Sequence, residues 1–78
     1  MPTLLRWKGY RFWFWAGDED EPPHVHVRKG DNVAKFWLAP VELATNQGFR
    51  SHEINEIRKA VRKHVIAFLE AWNDYFDR

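Results

Sequence analysis

Apolar and polar residues alternate with a period of two through the first part of the chain, and with a period of about three and a half from Ser51 onward. Leu4–Trp7 and Tyr10–Trp15 flank Lys8-Gly9, whose glycine supplies the positive φ of a two-residue hairpin, so they are predicted to pair as strands. His24–Arg28 is a third predicted strand, of alternating His and Val. It is entered through Pro22-Pro23, which lack N–H donors and place that end at a sheet edge or in a loop. Lys29-Gly30-Asp31-Asn32 has turn composition, and Val33–Leu38 returns to complete a second hairpin. Pro40 interrupts the pattern. Val41–Thr45 then reads as a short fifth strand or as a helical turn. After the Asn46-Gln47-Gly48 turn, Ile54, Ile57, Val61, Val65, Phe68, Trp72 and Phe76 share one stripe, which predicts an amphipathic helix from Ser51 to about Tyr75. Ser51 is the expected N-cap, with Glu53 and Glu56 at the positive end of the helix dipole.

These elements define an α+β fold: an antiparallel sheet of four to five strands in two hairpins, packed against one long C-terminal helix. At 78 residues the chain is one domain, with 1–48 the sheet part and 49–78 the helical part. So small a domain buries only about 60% of its unfolded surface. Its stability must come from a few large side chains, and five Trp and six Phe supply them. The predicted core is Phe12, Phe14, Val25, Val27, Phe36, Ile57, Val61, Phe68 and Trp72. There is no Cys, hence no disulfide framework, thiolate nucleophile or Cys-based zinc site. With no apolar run long enough to span a bilayer, a cytoplasmic protein is expected.

One helix covers one face of a sheet. Alternation assigns Phe12, Phe14, Val25, Val27, Phe36 and Leu38 to that face and leaves Arg11, Trp13, Trp15, His24, His26, Arg28, Lys35 and Trp37 on the other. This second set is too aromatic for idle exposure and too charged for a closed core. Three readings stand: a register shifted by a bulge, which would make the Trp residues core filler; a protein interface, homodimeric or with a dedicated partner; or a platform for single-stranded RNA or DNA. The net charge of +1 lacks the basic excess typical of nucleic-acid binding and favours the protein interface.

His24 and His26 are two apart in a strand, so they point the same way and are close enough to share a divalent metal or a phosphate. Glu21 is the carboxylate that would join them, with His52 or His64 a distant addition, although no spacing here matches a zinc signature. Arg28 on the same face would steady phosphate if the pair acted as general acid and base. The plain alternative is that both imidazoles are half-exposed strand residues. The run Asp18-Glu19-Asp20-Glu21 reads as a solvated acidic loop. On the helix, Arg58, Lys59, Arg62 and Lys63 form an outward cationic patch suited to solubility or to an acidic partner, and Glu56 is placed to pair with Lys59. Ser51, the only serine, is a cap and leaves no candidate for serine-hydrolase chemistry.

The Met-Pro-Thr opening, Gly9-Tyr10-Arg11-Phe12, Glu21-Pro22-Pro23-His24-Val25-His26-Val27, Ala34-Lys35-Phe36-Trp37-Leu38, Gly48-Phe49 and Ala71-Trp72 together resemble a small bacterial family of unknown function, DUF4160. The resemblance spans essentially the whole chain, and Glu-Pro-Pro-His-Val-His is its most specific element. It implies a short stand-alone protein encoded beside a small cognate protein, the two forming a toxin–antitoxin-like pair. It carries no catalytic residues. The functional expectation is therefore partner binding, extending to nucleic-acid contact, with a metal-dependent or acid–base ribonuclease-like activity of His24/His26 as the alternative.

Overall fold

The computed structural model describes residues 3–77. Five strands, β1 (Thr3–Trp7), β2 (Tyr10–Trp13), β3 (His24–Lys29), β4 (Asn32–Leu38) and β5 (Val41–Gln47), form one antiparallel sheet in the order of the chain, followed by α1 (Ser51–Tyr75). Each connection is short enough to return directly to the neighbouring strand, so a meander is the simplest closure. The Lys8-Gly9 turn has positive φ at both residues, 50° and 83°, as the twist of a tight hairpin requires. Val41–Gln47 is a strand rather than a helical turn, paired along β4 across a bulge between Lys35 and Phe36.

Two local expectations are corrected. Strand β2 ends at Trp13, and Phe14 and Trp15 leave the sheet. A 3-10 segment, Ala16–Asp20, begins there, and the Trp15 N–H donates to Asp18 Oδ2 at 2.8 Å instead of to a strand. Helix α1 is capped one residue earlier than expected. Arg50 is the N-cap and Ser51 the first helical residue, while Glu53 Oε1 accepts the Arg50 N–H at 3.0 Å. The chain enters this cap through Asn46, whose side chain bonds both the N–H and the carbonyl of Phe49.

All nine predicted core residues are buried, and Tyr10, Ala34, Leu38, Phe49, Ile54 and Ala60 join them, as does Trp13, which alternation assigns to the uncovered face but which Arg11, Trp15 and His26 cover. On the helix stripe Val65 and Phe76 are only half-buried. The 25-residue helix is about 37 Å long, against about 23 Å for a seven-residue strand, so its last turns overhang the sheet. There Trp72 lies 4.9 Å from Phe14 and 5.1 Å from His24, ring centre to ring centre. No helix among the described residues is long and apolar enough to cross a membrane.

Gly48 sits at φ +100°, and a Cβ there would meet Asn32 Oδ1 at 2.2 Å. A left-handed backbone and a blocked approach act together, so Gly48→Ala is expected to cost about 1 kcal/mol or more. A urea titration followed by circular dichroism measures it; an unchanged midpoint would contradict the account.

Candidate functional site

The register places Arg11, Trp13, His24, His26, Arg28, Lys35 and Trp37 on the sheet face away from the helix, as alternation predicts. They lie in cross-strand rows. One row is Arg6, Arg11 and Arg28 on β1, β2 and β3; the next is Thr3, Trp13, His26, Lys35 and Thr45; the third holds His24, Trp37 and Glu42. Trp15 lies outside the strands and is 47% exposed, yet its ring still meets those of Trp13 at 5.8 Å and His26 at 6.5 Å.

The two ends of this face differ. Over the histidines the 3-10 segment folds back, and Asp18 turns inward rather than standing in a solvated loop. A single oxygen, Asp18 Oδ2, lies 3.0 Å from His24 Nε2 and 3.2 Å from His26 Nε2, besides accepting the Trp15 N–H. Glu21, the carboxylate expected beside the imidazoles, instead pairs with Lys35, which also lies over the Trp37 ring at 4.4 Å. The correction follows from the backbone. Glu21 leaves the 3-10 segment extended and is exposed, whereas the turn that begins at Trp15 carries Asp18 over the strand. His52 and His64 are not part of the cluster.

The Pro-Pro-His-Val-His element now has a physical account. His24 Nδ1 donates to the Pro22 carbonyl at 2.9 Å, and the Pro23 carbonyl accepts the Leu38 N–H at 3.0 Å. The second bond ties the segment to β4, and the first sets the His24 ring. With its Nδ1 hydrogen committed to a carbonyl, the neutral ring carries its lone pair on Nε2. His24 is fully buried among His26, Trp37 and Trp72, so the pair is not two half-exposed strand residues. Its Nε2 is close to Asp18 but not aligned for a hydrogen bond, and among the described residues it is one of three buried side-chain nitrogens without a partner, with Trp13 Nε1 and Trp72 Nε1.

Burial raises the Asp18 carboxyl, but the Trp15 N–H, the adjacent His24 ring and the bond from the His26 imidazole outweigh it, and the net displacement is downward. Burial also holds His26 below its ordinary range, with His24 and Lys35 acting the same way and Asp18 opposing. The Lys35 bond holds Glu21 low. Both Asp18 and His26 are therefore easier to deprotonate when folded, and the stability they contribute is lost on acidification. In the presence of a chelator, the Tm is expected to fall as pH drops below about 6.5, the ordinary histidine value. His26→Gln should flatten the first part of that fall. A thermal series by circular dichroism checks this; a flat wild-type profile down to the carboxylate range would refute it.

At the other end of the face the arginine row is open. The ion pairs among the described residues are Lys8–Glu56, Lys35–Glu21 and the two histidines on Asp18, and none of the three arginines is in them. Arg11 donates Nε–H to Thr3 Oγ1 and lies over Trp13 at 5.1 Å, and Arg28 donates to the Gly30 carbonyl. Arg6, which sequence reasoning passed over, completes the row by its register opposite Arg11. The helix patch is less uniform than expected. Lys59, Arg62 and Lys63 are exposed, but Arg58 is half-buried, bonds Asn55 and reaches the Phe36 ring, while Glu56 pairs with Lys8 instead of Lys59.

Fold and site together define a small α+β protein, a five-stranded meander backed by one helix, with a His–His–Asp cluster built around a buried His24 and an arginine row on the face away from the helix. Residues 9–73 match the domain of unknown function DUF4160, and the chain belongs to that family. No curated protein and no solved structure matches it.

Proposed function

We propose that this protein acts by binding, as the cytoplasmic member of a toxin–antitoxin-like pair whose small cognate partner covers the open sheet face. The observation that carries the reading is the arginine row. Like charges directly opposite one another on adjacent strands weaken a sheet, and Arg6, Arg11 and Arg28 have no acid between them to offset that cost. An acidic partner surface would supply the missing charge, and the exposed Trp15 beside the row is the residue type that anchors interfaces. Size-exclusion chromatography with light scattering, alone and with the product of the neighbouring gene, tests it. A stable complex of the two is expected, and a monomer indifferent to that product would overturn the reading. A self-associated dimer would assign the face to a second copy instead.

A second reading, cleavage of RNA at His24 and His26 with Arg28 steadying phosphate, is favoured by one observation. Arg28 stands one row, roughly 7 Å, from His26 on the same face. Both imidazole Nε2 atoms turn toward one carboxylate oxygen rather than flanking a site where a phosphate would sit, which supports the metal-dependent form over separate acid and base. RNA left intact by the purified protein, with and without divalent metals, would remove this reading.

A further inference from the structure

We propose that Asp18, His24 and His26 form a binding site for one divalent transition-metal ion of the zinc type, closed by three protein ligands and leaving a position for water. The site is built from atoms already turned toward one another: one ligand atom from each of Asp18, His24 and His26 lies within 4.8 Å of the other two, and both Nε2 atoms approach Asp18 Oδ2. Around a tetrahedral ion with bonds of about 2.0–2.1 Å, neighbouring ligand atoms are about 3.3 Å apart. The 3.0 and 3.2 Å separations from Asp18 Oδ2 are close to that edge.

The independent observation is His24. Its ring is fully buried, and its Nε2 has no hydrogen-bond partner although it faces the cluster. A ring nitrogen and a carboxylate oxygen that share an ion do not point straight at each other; each points at the ion. The short but misaligned His24–Asp18 approach has that character. Nδ1 of the same ring donates to the Pro22 carbonyl, the arrangement by which a protein fixes the tautomer and orientation of a metal-ligating histidine. The Trp15 N–H holds the third ligand in the same way. Two imidazoles with one carboxylate suit zinc, cobalt, nickel or iron(II) and are poor ligands for calcium or magnesium, which prefer oxygen alone.

The competing account is a purely structural cluster in which the imidazoles hydrogen-bond Asp18. Titration of the chelator-treated full chain with Zn²⁺ by calorimetry, and with Co²⁺ by visible absorption, separates the two. One ion per chain is expected, with the intense cobalt bands of a four-coordinate site, and with a Tm that rises with free metal concentration. Asp18→Asn and His26→Gln should each weaken binding by more than about 100-fold, since losing an outer-shell partner alone costs about 10–100-fold, while His52→Gln and His64→Gln leave it unchanged. Should a variant fail to fold, nitrogen NMR of the wild-type histidines decides. Zn²⁺ must shift Nε2 of His24 and His26 and leave His52 and His64 in place. Absence of stoichiometric binding, or binding that the remote histidines carry, overturns the site. Neither result bears on the partner complex, and a site that binds metal without cleaving RNA would separate this inference from the ribonuclease reading.

Discussion

Trp72→Ala is expected to remove about 3–5 kcal/mol of stability, the largest loss from any single truncation in this fold. The side chain is fully buried where the helix overhangs the sheet, and it packs on Phe14, His24 and Phe76. Truncating a buried Trp to Ala costs about 3–5 kcal/mol, through lost burial and the cavity left behind. A domain this small has a total stability of roughly 4–12 kcal/mol at the usual value per residue. The cavity would open beneath His24, so the histidine cluster should lose its order along with the helix end. Trp72→Phe is the informative partner substitution. It keeps most of the volume and removes an indole N–H that is buried without an acceptor, so it should cost under about 1.5 kcal/mol. Urea unfolding followed by circular dichroism measures both. A Trp72→Ala midpoint equal to wild type would mean that the helix end does not hold this part of the fold.

The second large effect falls on binding and not on folding. Replacing Arg6, Arg11 and Arg28 together by Gln is expected to reduce affinity for the proposed partner by more than about tenfold, since opposed charges at an interface steer association and fix register. The fold should tolerate the change. Removing like charges in register relieves repulsion, and each Gln still offers an N–H donor in place of the guanidinium, so the Tm should stay level or rise. Salt supplies the control, because binding carried by this row must weaken as ionic strength rises. Calorimetry or surface plasmon resonance at two salt concentrations, with thermal melts of the same samples, reads all three. Unchanged affinity in the triple variant would show that the row is not the docking surface. Within the proposed pair, induced expression of the chain alone then distinguishes a toxic from a protective role, since growth arrest accompanies only the first.

What the residues determine by themselves is the set of elements and the face each side chain takes. Period-two alternation placed Val25 and Val27 toward the helix and His24, His26 and Arg28 away from it, and the three-and-a-half-residue stripe marked α1 through to Tyr75. Those are local properties, set by where Cβ points along a strand or helix, and they survive without knowledge of the fold. The Pro-Pro-His-Val-His element also stood out, although not for its physical reason.

Tertiary structure alone decided the rest. Asp18 and Glu21 are neighbours in one acidic run, and nothing in their identities says which reaches the imidazoles. A turn beginning at Trp15 carries Asp18 over β3, while Glu21 is drawn to Lys35 on β4. The burial of His24 likewise needs a helix longer than the strands, so that Trp72 closes over a residue whose parity faces it away. The arginine row needs the alignment of β1, β2 and β3, in which Arg6, Arg11 and Arg28 become neighbours although up to 22 positions separate them in the chain. Contacts between elements depend on lengths, turns and register summed over the whole sheet, and those sums are set by packing and not by any one stretch of residues.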